Sequence, residues 1–261
     1  MPEFLRNVYL LSAVSSVTFG VIGAFVVARR IGYLTGAVSH CAFGGVGIGL
    51  WLQQVLTNGS FGIVALASFF VGNASAKEVC KNLGAHIDPV VCALIFAVLA
   101  ALLVDWIRRH AKEREETILG AVWAIGMAIG LIFLEKVSGN NSNVSTYLFG
   151  EILLVSMRDV WFSAIFGAII LGTVFFNFKK LEAVCFDEEY ALLRGVNVGR
   201  QNRLLLVLTS IAVVLMLRLV GMAMIVALLT LPAATASRFA KRLDTMIVAS
   251  IVVCFVGSWL G

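Results

Sequence analysis

Apolar residues run along this chain in long uncharged blocks, with neither the strict alternation of strands nor the single-face spacing of soluble helices. Blocks at 8–28 and 37–56 are each long enough to cross about 30 Å of hydrocarbon, which takes roughly 20 apolar residues. The stretch 89–104 is shorter, but Asp105, Trp106, Arg108 and Arg109 follow it as an interfacial anchor would. Further spans are predicted at 117–134, 160–178 and 246–261. The block 204–236 is interrupted only by Arg218, Gly221 and Pro232. As one helix it would be about 50 Å long, too long for one crossing, so it reads as two helices broken near Arg218 and Gly221. The run 61–72 is too short to span and is expected to be a re-entrant or surface helix. The pattern predicts an all-α polytopic membrane protein with about eight transmembrane segments, two of them a broken pair.

Composition agrees with the pattern. The 261 residues are 60% hydrophobic and only 13% charged, far from the balance of a soluble domain. Disorder, a nucleic-acid-binding module and a small disulfide-rich secreted fold are thereby excluded. The net charge of +5 sits in short clusters between apolar runs, which is how a membrane protein sets its orientation. Arg29 and Arg30, Arg108 to Arg114, Lys179 to Arg203, and Arg238 to Arg242 belong on the cytoplasmic side. Segments 57–60 and 138–145 belong outside. All assignments alternate if the N-terminus and the whole loop 57–88 are external. No cleavable signal peptide is evident. The cysteines show no C-x-x-C or zinc-finger spacing. Cys41, Cys92 and Cys254 are expected to pack in apolar surroundings, and Cys80 with Cys92 is the one pairing considered.

A few polar residues within this apolar background carry candidate chemistry, because ionisable groups in a membrane are costly. His40 lies ten residues beyond Arg30, about 15 Å of helix rise, near mid-membrane. Imidazole is a good ligand for zinc, manganese or iron. A histidine bonded to a neighbouring helix fits the residue equally well. The following Gly44, Gly45, Gly47 and Gly49 match no phosphate loop. Such density lets helix backbones approach closely, and a tight seam there also suits the lining of a narrow pathway. Glu151, inside the apolar Tyr147 to Leu153, fits an external vestibule, while Asp159 reads as solvated. Arg218 would snorkel or bond the free carbonyls of the broken helix. From Phe186 to Val196 a short amphipathic helix is predicted, with Asp187, Glu188 and Glu189 in its first turn and Gly195 as its C-cap. It reads as a docking site for a cytosolic partner, with a solvated connector as the alternative.

In order, these pieces resemble the ABC-3 family of bacterial permeases, which import zinc, manganese or iron. The resemblance rests on Arg29-Arg30, Ser39-His40 before a Gly-rich helix, and Glu116-Thr117-Ile118-Leu119-Gly120. It continues through Tyr147-Leu148-Phe149-Gly150-Glu151-Ile152-Leu153, Phe186-Asp187-Glu188-Glu189-Tyr190-Ala191 with Arg194-Gly195-Val196, and Val220-Gly221 through Leu231-Pro232-Ala233-Ala234-Thr235-Ala236. It implies a single transmembrane permease domain over 1–261, in the bacterial cytoplasmic membrane, forming a homodimer with a pathway on the two-fold axis. The implied partners are a cytosolic ABC ATPase dimer and an extracytoplasmic metal-binding protein. No cofactor is held permanently; the divalent metal ion is the transported substrate. His40 and Glu151 would meet the metal. Asp187, Glu188, Glu189, Tyr190, Ala191, Arg194 and Gly195 would form the coupling helix within a cytoplasmic segment, 179–203. Arg218, Gly221 and Pro232 would form a structural hinge. The chain itself would not be an enzyme, since ATP hydrolysis belongs to the separate subunit and no G-x-x-x-x-G-K-[ST] is present.

The chain departs from the family pattern at three places. Many members carry an Asp four residues before the histidine, where this chain has Gly36. The usual Asp of the Leu-Phe-Gly-Asp motif is Glu151. Relatives continue for about another helix beyond Gly261, so a further helix is expected, and the loop 57–88 is longer than usual. The main rival function is a gradient-driven secondary metal transporter or channel, which would need mid-span carboxylates that are not evident. An intramembrane enzyme would need a catalytic constellation such as H-E-x-x-H, and none occurs.

Overall fold

The computed structural model describes residues 3–57, 88–110, 115–137, 150, 156–240 and 242–260, and these form helices without strands. In chain order they are α1 (Glu3–Ala28), α2 (Gly32–Thr57), α3 (Pro89–His110), α4 (Glu115–Lys136), α5 (Met157–Phe186), α6 (Glu188–Leu193), α7 (Val198–Val220), α8 (Met222–Phe239) and α9 (Leu243–Leu260). Six of them, α1 to α5 and α7, are long and apolar enough to cross a membrane, and α8 and α9 are shorter apolar helices. The eight apolar segments and one small helix read from the sequence therefore correspond to the described elements. The predicted surface helix at 61–72 lies outside the described residues, as does most of the loop 57–88.

Two helices organise the packing. α1 lies against α5, α8 and α9, and α2 lies against α3 and α4, while α7 touches members of both groups. The close approaches are made by glycines. A Cβ at Gly20 would lie 2.5 Å from the Ile251 side chain on α9, and one at Gly23 would lie 2.3 Å from the Leu229 carbonyl oxygen on α8. Where lipid removes the hydrophobic drive between helices, such backbone proximity is what gives van der Waals packing its strength. Outward-facing Phe175 and Phe176 are more than three-quarters exposed, as a lipid-facing surface requires.

Helix ends follow from local chemistry. α1 stops in a Schellman arrangement, with Arg30 N–H donating to the Val27 carbonyl and Ile31 N–H to the Val26 carbonyl, both at 3.0 Å. Arg30 takes the left-handed φ of 56° that glycine would occupy more cheaply. The break in the long apolar block falls at Gly221, whose φ of 80° and ψ of 155° end α7 and begin α8. That conformation is essentially reserved for glycine. Pro232 sits inside α8, which stays helical through it. Asp159, read as merely solvated, forms a capping box with Ser156 at the start of α5: its carboxylate accepts from the Ser156 N–H at 3.1 Å.

Candidate functional site

His40 lies eight residues into α2, in a seam where that helix is pressed against α4. Glycines on both sides make the seam. A Cβ at Gly44 would lie 2.9 Å from the Gly126 carbonyl oxygen, and one at Gly47 would lie 2.6 Å from that of Gly130. From the other side, a Cβ at Gly126 would lie 2.9 Å from the His40 carbonyl carbon. Gly45 and Gly49 serve the opposite face of α2, against Ala93 and Cys92 on α3. The glycine run is thus a two-sided packing device with His40 at its N-terminal edge. The His40 imidazole stacks on the Trp123 indole, with ring centroids 5.0 Å apart and planes at 19°. Its Nδ1 is buried and has no hydrogen-bond partner, which is an uncommon condition for a buried polar atom.

Glu151 and Cys80 lie outside the described residues, and so does the side chain of Arg218. Cys92 is a free thiol. Among the described residues no group of three or more His, Cys, Asp or Glu side chains is placed to hold a metal.

The second region is the end of the bundle that carries α6. α6 is capped at both ends as its sequence predicts. The Asp187 carboxylate accepts from the N–H groups of Glu189 and Tyr190 at 2.9 and 3.0 Å. Gly195, at φ 76°, closes the helix in a Schellman motif: its N–H donates to Leu192, and that of Val196 donates to Ala191. Ala191 is buried, Arg194 lies over the Tyr190 ring at 4.8 Å, and Glu189 faces solvent. Apolar Phe186, Leu192 and Leu193 are all exposed, Leu193 by 88%.

Sequence reasoning missed what ties α6 to the bundle. Arg29, with only 7% of its side chain exposed, donates to the Val184 carbonyl at 2.7 Å and to both Glu188 and Asn202 at 2.6 Å. It thereby fastens the end of α1 to α5, α6 and α7. Beside it, buried Asp105 on α3 pairs with Arg109 at 2.7 Å and with Arg203 on α7 at 3.2 Å. Arg109 also donates to the Gly199 carbonyl at 3.2 Å. Sequence alone assigns Arg29 to orientation and Asp105 to an interfacial anchor. The i, i+4 spacing of Asp105 and Arg109 was a visible signal of a paired charge. Trp123 was also missed, although a tryptophan inside a span, away from the aromatic belts, is unusual.

The model of the ABC 3 transport family matches residues 1–82 and 75–261, which together take in the whole chain. The chain belongs to this family. Among similar proteins, a probable metal transport system membrane protein of Chlamydia trachomatis is 31% identical over 260 residues, covering 100% of this chain and 80% of the relative. The manganese import system permease protein ScaB of Streptococcus gordonii is 29% identical over 99% of this chain and 81% of its own length. Among solved structures, PsaBC from Streptococcus pneumoniae in complex with Fab has a TM-score of 0.77 at 28% identity, covering 98% of this chain and 80% of that one. As an ABC-3 member, the chain is an ABC-transporter permease and a multi-pass protein of the bacterial membrane.

Proposed function

We propose that this permease carries a divalent transition-metal ion inward by alternating access, driven by a separate cytosolic ATPase. The observation that carries the reading is the buried, unpartnered Nδ1 of His40 in a seam built mainly from glycines and apolar side chains, with the Cys41 thiol turned to the Val122 carbonyl. No hydrogen bond in the resting packing holds this nitrogen, so the neutral ring is free to turn a lone pair to a passing cation. A sparse ligand set is what transport needs, because an ion must leave as readily as it arrives. Glu151 is the further ligand expected toward the external vestibule.

α6 is the coupling helix in this reading. Its capped ends make it rigid, its exposed Leu192, Leu193 and Tyr190 offer an apolar face to the ATPase, and Arg29 holds it to three membrane helices. Gly221 supports a hinge between α7 and α8, with Arg218 and Pro232 on its two sides. Two copies of the chain would enclose the pathway, and an extracytoplasmic metal-binding protein would deliver the ion to the external loops.

The test is His40→Ala in the assembled transporter. Metal uptake is expected to vanish while co-purification with the ATPase is unchanged. Normal uptake by that variant would return His40 to a packing role and remove the basis of the reading.

A further inference from the structure

Position 36 is one helical turn before His40 on the same face of α2, which is where a second ligand for an ion held by His40 would stand. The residue there is glycine, yet the space is filled. A Cβ at Gly36 would lie 2.0 Å from Cζ2 of Trp123, 2.7 Å from Cε2 and 2.8 Å from Cη2. Those atoms belong to a rigid bicyclic ring, 37% exposed, so room for a side chain here requires the whole indole to leave the seam. The same indole stacks on His40. α4 cannot easily carry the ring away, since Gly126, one turn on, is pressed against the His40–Cys41 backbone. An indole in this place and any side chain at position 36, a carboxylate included, exclude one another.

We propose that Trp123 is a specificity-determining residue of the transport site. By occupying the space at position 36 it keeps oxygen ligands off that turn, and by stacking it fixes the direction of the His40 ring. A passing ion then meets an imidazole nitrogen beside an aromatic wall that offers no lone pair. Imidazole suits zinc, whereas manganese favours carboxylate, carbonyl and water oxygens. The Gly36–Trp123 pair therefore selects zinc over manganese. This inference rests on His40 being the transport site.

The experiment compares uptake of radioactive zinc and manganese by the assembled transporter carrying Gly36→Asp, Trp123→Ala or both. The double variant is expected to shift the manganese-to-zinc ratio upward by about tenfold or more, the usual scale for altering the surroundings of a metal ligand. Gly36→Asp alone is expected to lose uptake of both ions. An unchanged ratio in an active double variant overturns the proposal, and so does wild-type behaviour of Gly36→Asp alone. A double variant that fails to assemble leaves a second measurement: the thermal cost of Gly36→Ala in the wild-type and Trp123→Ala backgrounds. A cost present only with Trp123 in place supports the mutual exclusion, and equal costs overturn it. Uptake surviving His40→Ala is a separate outcome, which refutes the transport-site reading itself.

Discussion

Around His40, α2 and α4 meet through missing side chains, whereas at the α6 end of the bundle α1, α3, α6 and α7 meet through charged ones. In the seam, Gly44 and Gly47 face Gly126 and Gly130 with no room for a methyl group. Below it, Arg29 has three partners and Asp105 has two. The first region is held by shape, which tolerates no added volume. The second is held by direction and charge, which tolerate added volume but not the loss of a partner. The difference separates two ways of joining helices: a seam closed by fit, in which the His40 Nδ1 stays unpartnered, and a junction in which Arg29 and Asp105 each tie several helices together.

This contrast can be broken most forcefully at Gly47. Gly47→Leu is expected to push α2 from α4 and cost about 3 kcal/mol, seen as a lower melting temperature and early elution in detergent. A variant with unaltered melting would show that the seam yields, contrary to the shape argument. Asp105→Ala should cost less, about 2 kcal/mol, because Arg109 and Arg203 are each near half exposed and turn to water. Arg29→Ala is expected to matter more for coupling than for folding. Uptake should fall severalfold while the ATPase still binds and hydrolyses ATP; a proportional loss of both activities would count against a transmitting role. Gly195→Ala forces a φ of 76° on a residue with a Cβ and should cost about 1 kcal/mol. The smallest effect sharpens the comparison from the opposite side. Gly120 on α4 has nothing within 4 Å of where a Cβ would stand, so Gly120→Ala should raise stability by roughly 0.5–1 kcal/mol. A loss there would mean that glycine serves α4 for a reason other than close approach.

Much of the fold could be read from local signals. The break at Gly221 was legible because glycine interrupts an apolar block too long for one helix, and the positive φ found there explains why glycine is the interrupter. The caps of α6 were legible because Asp187 and Gly195 act within a few residues of themselves. His40 could be singled out as a polar residue among apolar ones. Its stacking on Trp123 could not, since residues 83 positions apart meet only once the α2–α4 register is set by the glycine seam. The same limit applies to Arg29 and Asp105. Sequence shows that they lie near helix ends on one side of the membrane, but their partners on α5, α6 and α7 come from packing.

Arg29 has one further consequence. Its guanidinium closes a triangle with Glu188 of α6 and Asn202 of α7, and its own helix leads up to Gly20 and Gly23 against α9 and α8. Asn202 is one position before Arg203, which reaches across to Asp105 on α3, and α3 is packed along α2. A load applied at the six residues of α6 is thus shared at its first turn between two trains of helices, one through α1 and the other through α7 and α3. If α6 takes up a load from the ATPase, as proposed, both halves of the bundle would receive it together.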